Sequence, residues 1–297
     1  MKIKKIFVRC RRRIVFVLFS PTKFFKKYFN IIWDGFFGEN LESIKVDKVY
    51  TDQKIIFDKS ISKKEAPRVL ILINHYYNKK GEFKGKSSSQ DIKVRKAIVE
   101  KVANELRSIP NSDVKVCGMK GFSLIDIDKD FSFIKDPKFL VYESIEWMFS
   151  KIDKYDYFVN IEDDILLTRE TFERIIEFDK NQPLNKCFHP NRMEYEGGRE
   201  YCSDFEAEPG WRNISMKYNN YEVRVAKNPH SGLTILSKPK MLYARDMVDL
   251  KRRERIIGYY MASAYANVNS PFLLYRSYFD LSVHRVVHLD RWEERDN

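Results

Sequence analysis

Tyr157-Phe158-Val159-Asn160-Ile161-Glu162-Asp163-Asp164-Ile165-Leu166-Leu167-Thr168 sets an apolar strand directly before three consecutive acids. In an open α/β sheet the carboxyl ends of the strands face the ligand crevice. Carboxylates packed this closely repel one another unless a cation is shared. Hard divalent ions prefer such oxygens, and substrate phosphates complete their shell. The competing reading is a solvated turn, because acids also favour helix N-termini. Thr168 is placed to cap a helix running from Arg169 to Phe178.

The same alternation extends upstream. Arg68 to Ile73 (RVLILI) is a continuous apolar run, the mark of a strand covered on both faces. It ends in Asn74-His75-Tyr76-Tyr77-Asn78, followed by a polar loop to Gln90. Asp91 caps a predicted helix to about Ser108, with Ile92, Ala97, Ile98, Val102 and Leu106 on its apolar face. Val114 to Met119 reads as a strand, Phe139 to Ile152 as a helix, and Tyr155 to Ile161 as a third strand. Strands alternating with helices predict an α/β fold with parallel crossovers. The second half is less regular. Cys187 to Glu194 and Gly232 to Leu236 read as strands, 192–212 as a substrate-facing loop or short hairpin, and Pro239 to Ala266 as mostly helical. There is no internal repeat.

Composition narrows the class. The chain has 297 residues, 43% hydrophobic and 14% aromatic, enough for a buried core and too apolar for disorder. The formal charge of +12 is not spread evenly. Residues 1–30 hold ten Lys and Arg and no acid, leaving 44 basic against 42 acidic residues elsewhere. A near-neutral body argues against a nucleic-acid surface. The basic segment interleaves Phe, Ile and Leu with Lys and Arg, as expected of an arm on an anionic membrane surface, where each basic residue contributes about 1 kcal/mol. The expected organisation is this arm at 1–40, a hairpin and linker at 41–66, and a catalytic domain at 67–297. The longest apolar run near the start, Ile14 to Phe19, is too short to span a bilayer, and no small-x-small cleavage site follows. Cysteines at 10, 117, 187 and 202 form no CxxC pair, which favours a reducing, cytoplasm-facing location peripheral to the membrane.

The order of elements and the Glu162-Asp163-Asp164 triplet resemble the glycosyltransferases of the GT-A fold, over about residues 67–290. That resemblance implies a Rossmann-like, mixed central sheet flanked by helices, with the basic N-terminal arm attached. It also implies a nucleotide-sugar donor, a glycan or lipid-linked acceptor, and Mn²⁺ or Mg²⁺. The motif opens with Glu where its commonest form has Asp. By resemblance Asp164 ligates the metal, Glu162 contacts the ribose or a metal-bound water, and His288 supplies a late metal ligand. Asn74, His75 and Tyr76, with Glu162 and Asp163, are the nucleotide-binding candidates, and Tyr76 or Tyr77 is placed to stack on the base. His230, Ser231 and Gly232 correspond to the stretch beneath the donor sugar. Asp280 and Glu254 are candidates for the base that an inverting transfer requires. Work on surface polysaccharide or glycolipid fits such an acceptor.

Other patterns are weaker. His284 and His288 lie four apart, as on one helix face, but Arg285 stands where a zincin needs Glu. Gly81 to Ser87 has three residues between its glycines where a P-loop needs four, and suits a lid over the donor site better. Two rival functions use the same features: a nucleotidyl- or phosphotransferase with two metals on the acids, and a non-catalytic membrane or polyanion-binding protein.

Overall fold

The computed structural model describes residues 66–78, 91–196, 199–202, 211–219, 221–226, 231–253, 255, 260–277 and 284–290. They all belong to one compact unit, Ile55–Asn297. The expected arm at 1–40 and all of the 41–66 linker except Ala66 lie outside these residues, as do the Gly81–Ser87 loop, His230, Glu254 and Asp280. Among the described residues no helix is long and apolar enough to cross a membrane.

The architecture is mixed α/β. The first half gives β1 (Val69–Asn74), α1 (Ile92–Arg107), β2 (Ser112–Gly118), β3 (Lys129–Asp130), α2 (Leu140–Phe149), β4 (Tyr157–Glu162), β5 (Ile165–Leu166) and α3 (Arg169–Asn181). The second half gives β6 (Lys186–Phe188), β7 (Asn191–Glu196), β8 (Arg199–Cys202), β9 (Trp211–Tyr218), β10 (Tyr221–Ala226), β11 (Leu233–Ser237), α4 (Lys238–Met247), α5 (Tyr260–Asn269), β12 (Leu273–Ser277) and β13 (Arg285–His288). The central sheet has the order β11-β4-β1-β2-β3. β4, β1, β2 and β3 are parallel, and β11 runs antiparallel to β4. β1 is buried along its whole length. Val69, Ile71 and Ile73 face the core shared with α1 and α3, whereas Leu70 and Leu72 face the core shared with α2, α4 and α5. The period of two in a fully apolar strand thus sorts its side chains into two layers of helices.

The topology fixes where a ligand crevice opens. The chain leaves β1 toward β2 on one side and returns as β4 on the other side. The strand order reverses between β1 and β4, and in open α/β sheets the crevice lies outside the carboxyl ends at that switch. Asn74 and Glu162, the last residues of the two strands, are direct neighbours there. Two smaller sheets, β6-β12-β10-β9 and β5-β13-β7-β8, complete the fold. The second of these grows straight out of the acidic turn, because β5 follows Asp164 and pairs with β13.

The structure alters several expectations. α1 does bury one face, but that face is Arg95, Val99, Val102, Ala103 and Leu106, while Ile92 is 40% exposed. The helix is turned so that Arg95 points inward, for reasons given below. The strand expected over Cys187–Glu194 divides at His189-Pro190, because proline has no N–H to continue a ladder. Its halves join different sheets. The helix expected over Pro239–Ala266 is α4, a single 3₁₀ turn at Leu250–Arg252, and α5. His284 and His288 do not share a helix face, since Arg285–His288 is a strand between β5 and β7. The 192–212 stretch contains the antiparallel pair β7–β8. Both helix caps read from sequence are present: Asp91 Oδ1 accepts from Lys93 N at 2.8 Å, and Thr168 Oγ1 accepts from Thr171 N at 3.2 Å.

Two further features position these elements. Lys240 of α4 is fully buried and donates to Asp179 of α3 and to the carbonyl of Lys186, which ties α4, α3 and β6 together. Gly232 opens β11 with φ of +69°, and a Cβ there would lie 2.7 Å from Glu162 Oε2 and 2.8 Å from Ile165 Cγ1. Glycine is required on both counts, the backbone angle and the space.

Lys240→Met strands the Asp179 carboxylate in the core. It is expected to cost roughly 3–5 kcal/mol in chemical denaturation, and Lys240→Met/Asp179→Leu less than the single change. Gly232→Ala is expected to cost about 1–3 kcal/mol by the same measurement.

Candidate active site

The acidic turn at the end of β4 is buried, and its charges are neutralised from within the chain. Asp163 accepts from His75 Nδ1 on one oxygen and from Arg95 Nη2 on the other. His75 is fully buried, and its Nε2 accepts from Leu124 N at 2.9 Å. With Nε2 accepting, Nδ1 carries the proton given to Asp163. Arg95 Nη1 lies 3.3 Å from Asp164 Oδ2 and 3.6 Å from Asp290 Oδ2. One guanidinium thus sits among three carboxylates, which explains why α1 turns this residue inward at the expense of Ile92.

A second cation approaches from the other side. His288, at the end of β13, is opposite Ile165 and lies 3.4 Å through Nε2 from Asp164 Oδ2. Its Nδ1 is 2.7 Å from Glu194 Oε2 on β7, and Glu194 Oε1 lies 3.2 Å from Arg192 Nε. Leu289 N donates to Asp164 O at 2.8 Å, which locks the acidic turn onto β13. The result is a line of alternating charge: Arg192, Glu194, His288, Asp164, Arg95, Asp163. Burial alone would disfavour a charged His288, but Asp164 and Glu194 outweigh it and raise the imidazole to about 10. Burial likewise opposes ionisation of Asp164, yet His288 and Arg95 hold its carboxyl well below the usual range. Glu162 is pushed upward, first by burial and then by Asp164, against the pull of Arg192 and His288.

Asp164 keeps one unused valence. Its Oδ1 is inaccessible to solvent and has no hydrogen-bond partner among the described residues. Asn74, at the end of β1, donates through Nδ2 to Asn160 Oδ1 and to the Tyr265 hydroxyl at 3.0 Å. Asn160 in turn donates to Ser144 Oγ at 2.9 Å, so α2 and α5 both anchor the switch point. The Asn74 Oδ1 is buried without a partner among the described residues.

The residues singled out from sequence fall into groups. Asn74, His75, Glu162, Asp163, Asp164 and His288 converge at the switch point. His75 and both oxygens of Asp163 are engaged inside the chain. Tyr76 stacks on Phe122 with centroids 5.4 Å apart and an interplanar angle of 16°. Ser231 is buried, donates to Pro190 O at 2.9 Å and accepts from Arg276 Nη2 at 2.7 Å. Gly232 abuts Glu162. Sequence reasoning missed Arg95, Arg192 and Glu194. Arg95 had a readable signal, since it stands at i, i+4, i+7 and i+11 with Val99, Val102 and Leu106.

The fit to a divalent ion can be judged on these atoms. Among the described residues no three His, Cys, Asp or Glu side chains are arranged to hold a metal alone. Asp164, with its idle Oδ1, and His288 beside it suit an ion that takes the rest of its shell from phosphates. They do not make a cage closed by protein ligands.

No family model and no curated protein matches the chain. Among solved structures, A197 from STIV superimposes with a TM-score of 0.35 and 8% identity, over 77% of this chain and 98% of that one. A glycosyltransferase involved in the glycosylation of the major capsid of PBCV-1 superimposes with a TM-score of 0.31 and 11% identity, over 71% and 93% respectively. At these scores neither neighbour bears on fold or function.

Proposed function

We propose that the chain is a GT-A-like glycosyltransferase that binds a nucleotide-sugar donor at the β1–β4 switch point and passes the sugar to a glycan or lipid-linked acceptor. The observation that carries the reading is Asp164: an ionised carboxylate at the end of a central parallel strand, with one buried oxygen unused and His288 against the other. Asp164 and His288 would hold Mn²⁺ or Mg²⁺, which supplies charge stabilisation for a departing nucleoside diphosphate.

The remaining work falls to the chain's own groups. Asn74 offers an idle carbonyl oxygen at the crevice floor, suited to a donor N–H or hydroxyl. Arg95 lies against Asp163, Asp164 and Asp290 and offsets their charge from within the chain. Gly232 keeps the β11 backbone close to Glu162, where a sugar would approach. The acceptor hydroxyl needs a base in an inverting transfer, for which Asp280 and Glu254 stand as candidates. The ten basic residues of 1–30 support a place on the cytoplasmic membrane face, in surface polysaccharide or glycolipid synthesis.

The same acids on two metals would suit a nucleotidyl- or phosphotransferase. Arg95 argues against that reading, because its guanidinium already stands between Asp163, Asp164 and Asp290, where a second ion would sit.

Calorimetry with a panel of nucleoside diphosphates and nucleotide sugars tests the proposal, in Mn²⁺ and then in EDTA. One nucleotide is expected to bind with Mn²⁺ and to lose at least about tenfold in affinity in EDTA or in Asp164→Asn. Metal-independent silence across the panel, from folded protein, would instead favour a non-catalytic binding protein.

A further inference from the structure

We infer that Glu194 is a positioning residue that holds His288 with Nε2 turned toward Asp164, ready for a divalent cation. The inference rests on the metal-dependent reading above. Glu194 lies where the expected Cys187–Glu194 strand overlaps the 192–212 stretch read from sequence as a substrate-facing loop or short hairpin. In the structure it belongs to β7, which runs parallel beside β13 with Met193 opposite Val287. That register places Glu194 next to His288, and the Glu194 side chain is only 4% exposed.

A carboxylate in this place needs an explanation, because burying one is costly unless its oxygens are matched. Here Oε2 has a hydrogen-bonding neighbour, while Oε1 has an ion-pair neighbour and no hydrogen bond among the described residues. Oε2 lies 2.7 Å from His288 Nδ1, and Oε1 lies 3.2 Å from Arg192 Nε. An ionised carboxylate can only accept, so Nδ1 must carry a proton. The imidazolium turns its other N–H, on Nε2, toward Asp164 Oδ2 at 3.4 Å, and a metal ion there would displace that proton and leave the Nδ1 proton on Glu194. A metal-ligating histidine typically gives its other N–H to a carboxylate, which fixes the tautomer and the ring orientation. Arg192 offsets the charge of Glu194. Glu194 thereby fixes which imidazole nitrogen faces the Asp164 carboxylate.

The test uses the full chain and Mn²⁺ alone, with free Mn²⁺ followed by electron paramagnetic resonance. Glu194→Ala is expected to weaken Mn²⁺ binding roughly 10–100-fold. Glu194→Gln keeps the volume and a carbonyl that still accepts from Nδ1, so it is expected to lose only several-fold. Pulsed measurements on the bound ion are expected to show nitrogen coupling in wild type and Glu194→Gln, and none in His288→Gln. Adding Glu194→Ala to His288→Gln is expected to change nothing further. Wild-type affinity in Glu194→Ala would overturn the inference while leaving the metal site standing. So would an equal loss from Glu194→Ala in the His288→Gln background, which marks a structural role. Failure of wild type to bind Mn²⁺, with or without a nucleoside diphosphate, would remove the metal reading itself and this inference with it.

Discussion

Three carboxylates at the end of one buried strand cannot all ionise unless cations meet them, and the fold is arranged around that constraint. The cations are Arg95 from α1 and His288 from β13, and His75, the residue after β1, adds a hydrogen bond to Asp163, all converging on the turn after β4. The arrangement dictates the rotation of α1, which leaves Ile92 in solvent in order to bring Arg95 in. It also joins two sheets, because β13 pairs with β5 and Leu289 closes on the Asp164 carbonyl. The central sheet and the β5-β13-β7-β8 sheet therefore meet through the acidic turn itself.

Neutralisation is uneven, and the unevenness separates roles within the triplet. Asp163 is saturated by His75 and Arg95, so its work is to hold β1, α1 and β4 together. Asp164 is paired on one oxygen only, and this asymmetry leaves an ionised group with a free valence at the switch point. Glu162 is pushed toward its protonated form by burial and by Asp164, and it leans on Gly232. Three adjacent acids of similar chemistry thus acquire three environments from the strands around them. Such separation is common where a site must keep one carboxylate charged and another nearly neutral.

The sequence was legible where burial follows a simple period. The run Arg68–Ile73 and the segment Tyr155–Ile161 were readable as strands because both faces of β1 and β4 are covered. Asp91 and Thr168 were readable as caps because their side chains satisfy helix N–H groups locally. Legibility failed where long-range pairing decides the outcome. β9, β10 and β12 carry polar residues amid their apolar ones and were not singled out. His284 and His288 have helical spacing, but β5 and β7 hold that segment as a strand. Asp164 and His288, singled out through chemistry and resemblance, do lie together at the end of β4. Glu194 and Arg192 were not legible, because a charged residue in a hairpin reads as solvent-facing until its partner's position is known, and Arg95 showed only in its spacing with Val99, Val102 and Leu106.

The central claim is that Asp164 and His288 form one end of a metal–diphosphate site at the β1–β4 switch. The most direct measurement is anomalous scattering at the manganese edge from crystals soaked with Mn²⁺ and the nucleoside diphosphate that binds best. The account expects one anomalous peak bonded to the Asp164 carboxylate and His288, with the diphosphate oxygens completing its shell. A nucleotide seated elsewhere, or a peak that leaves Asp164 untouched, would contradict it.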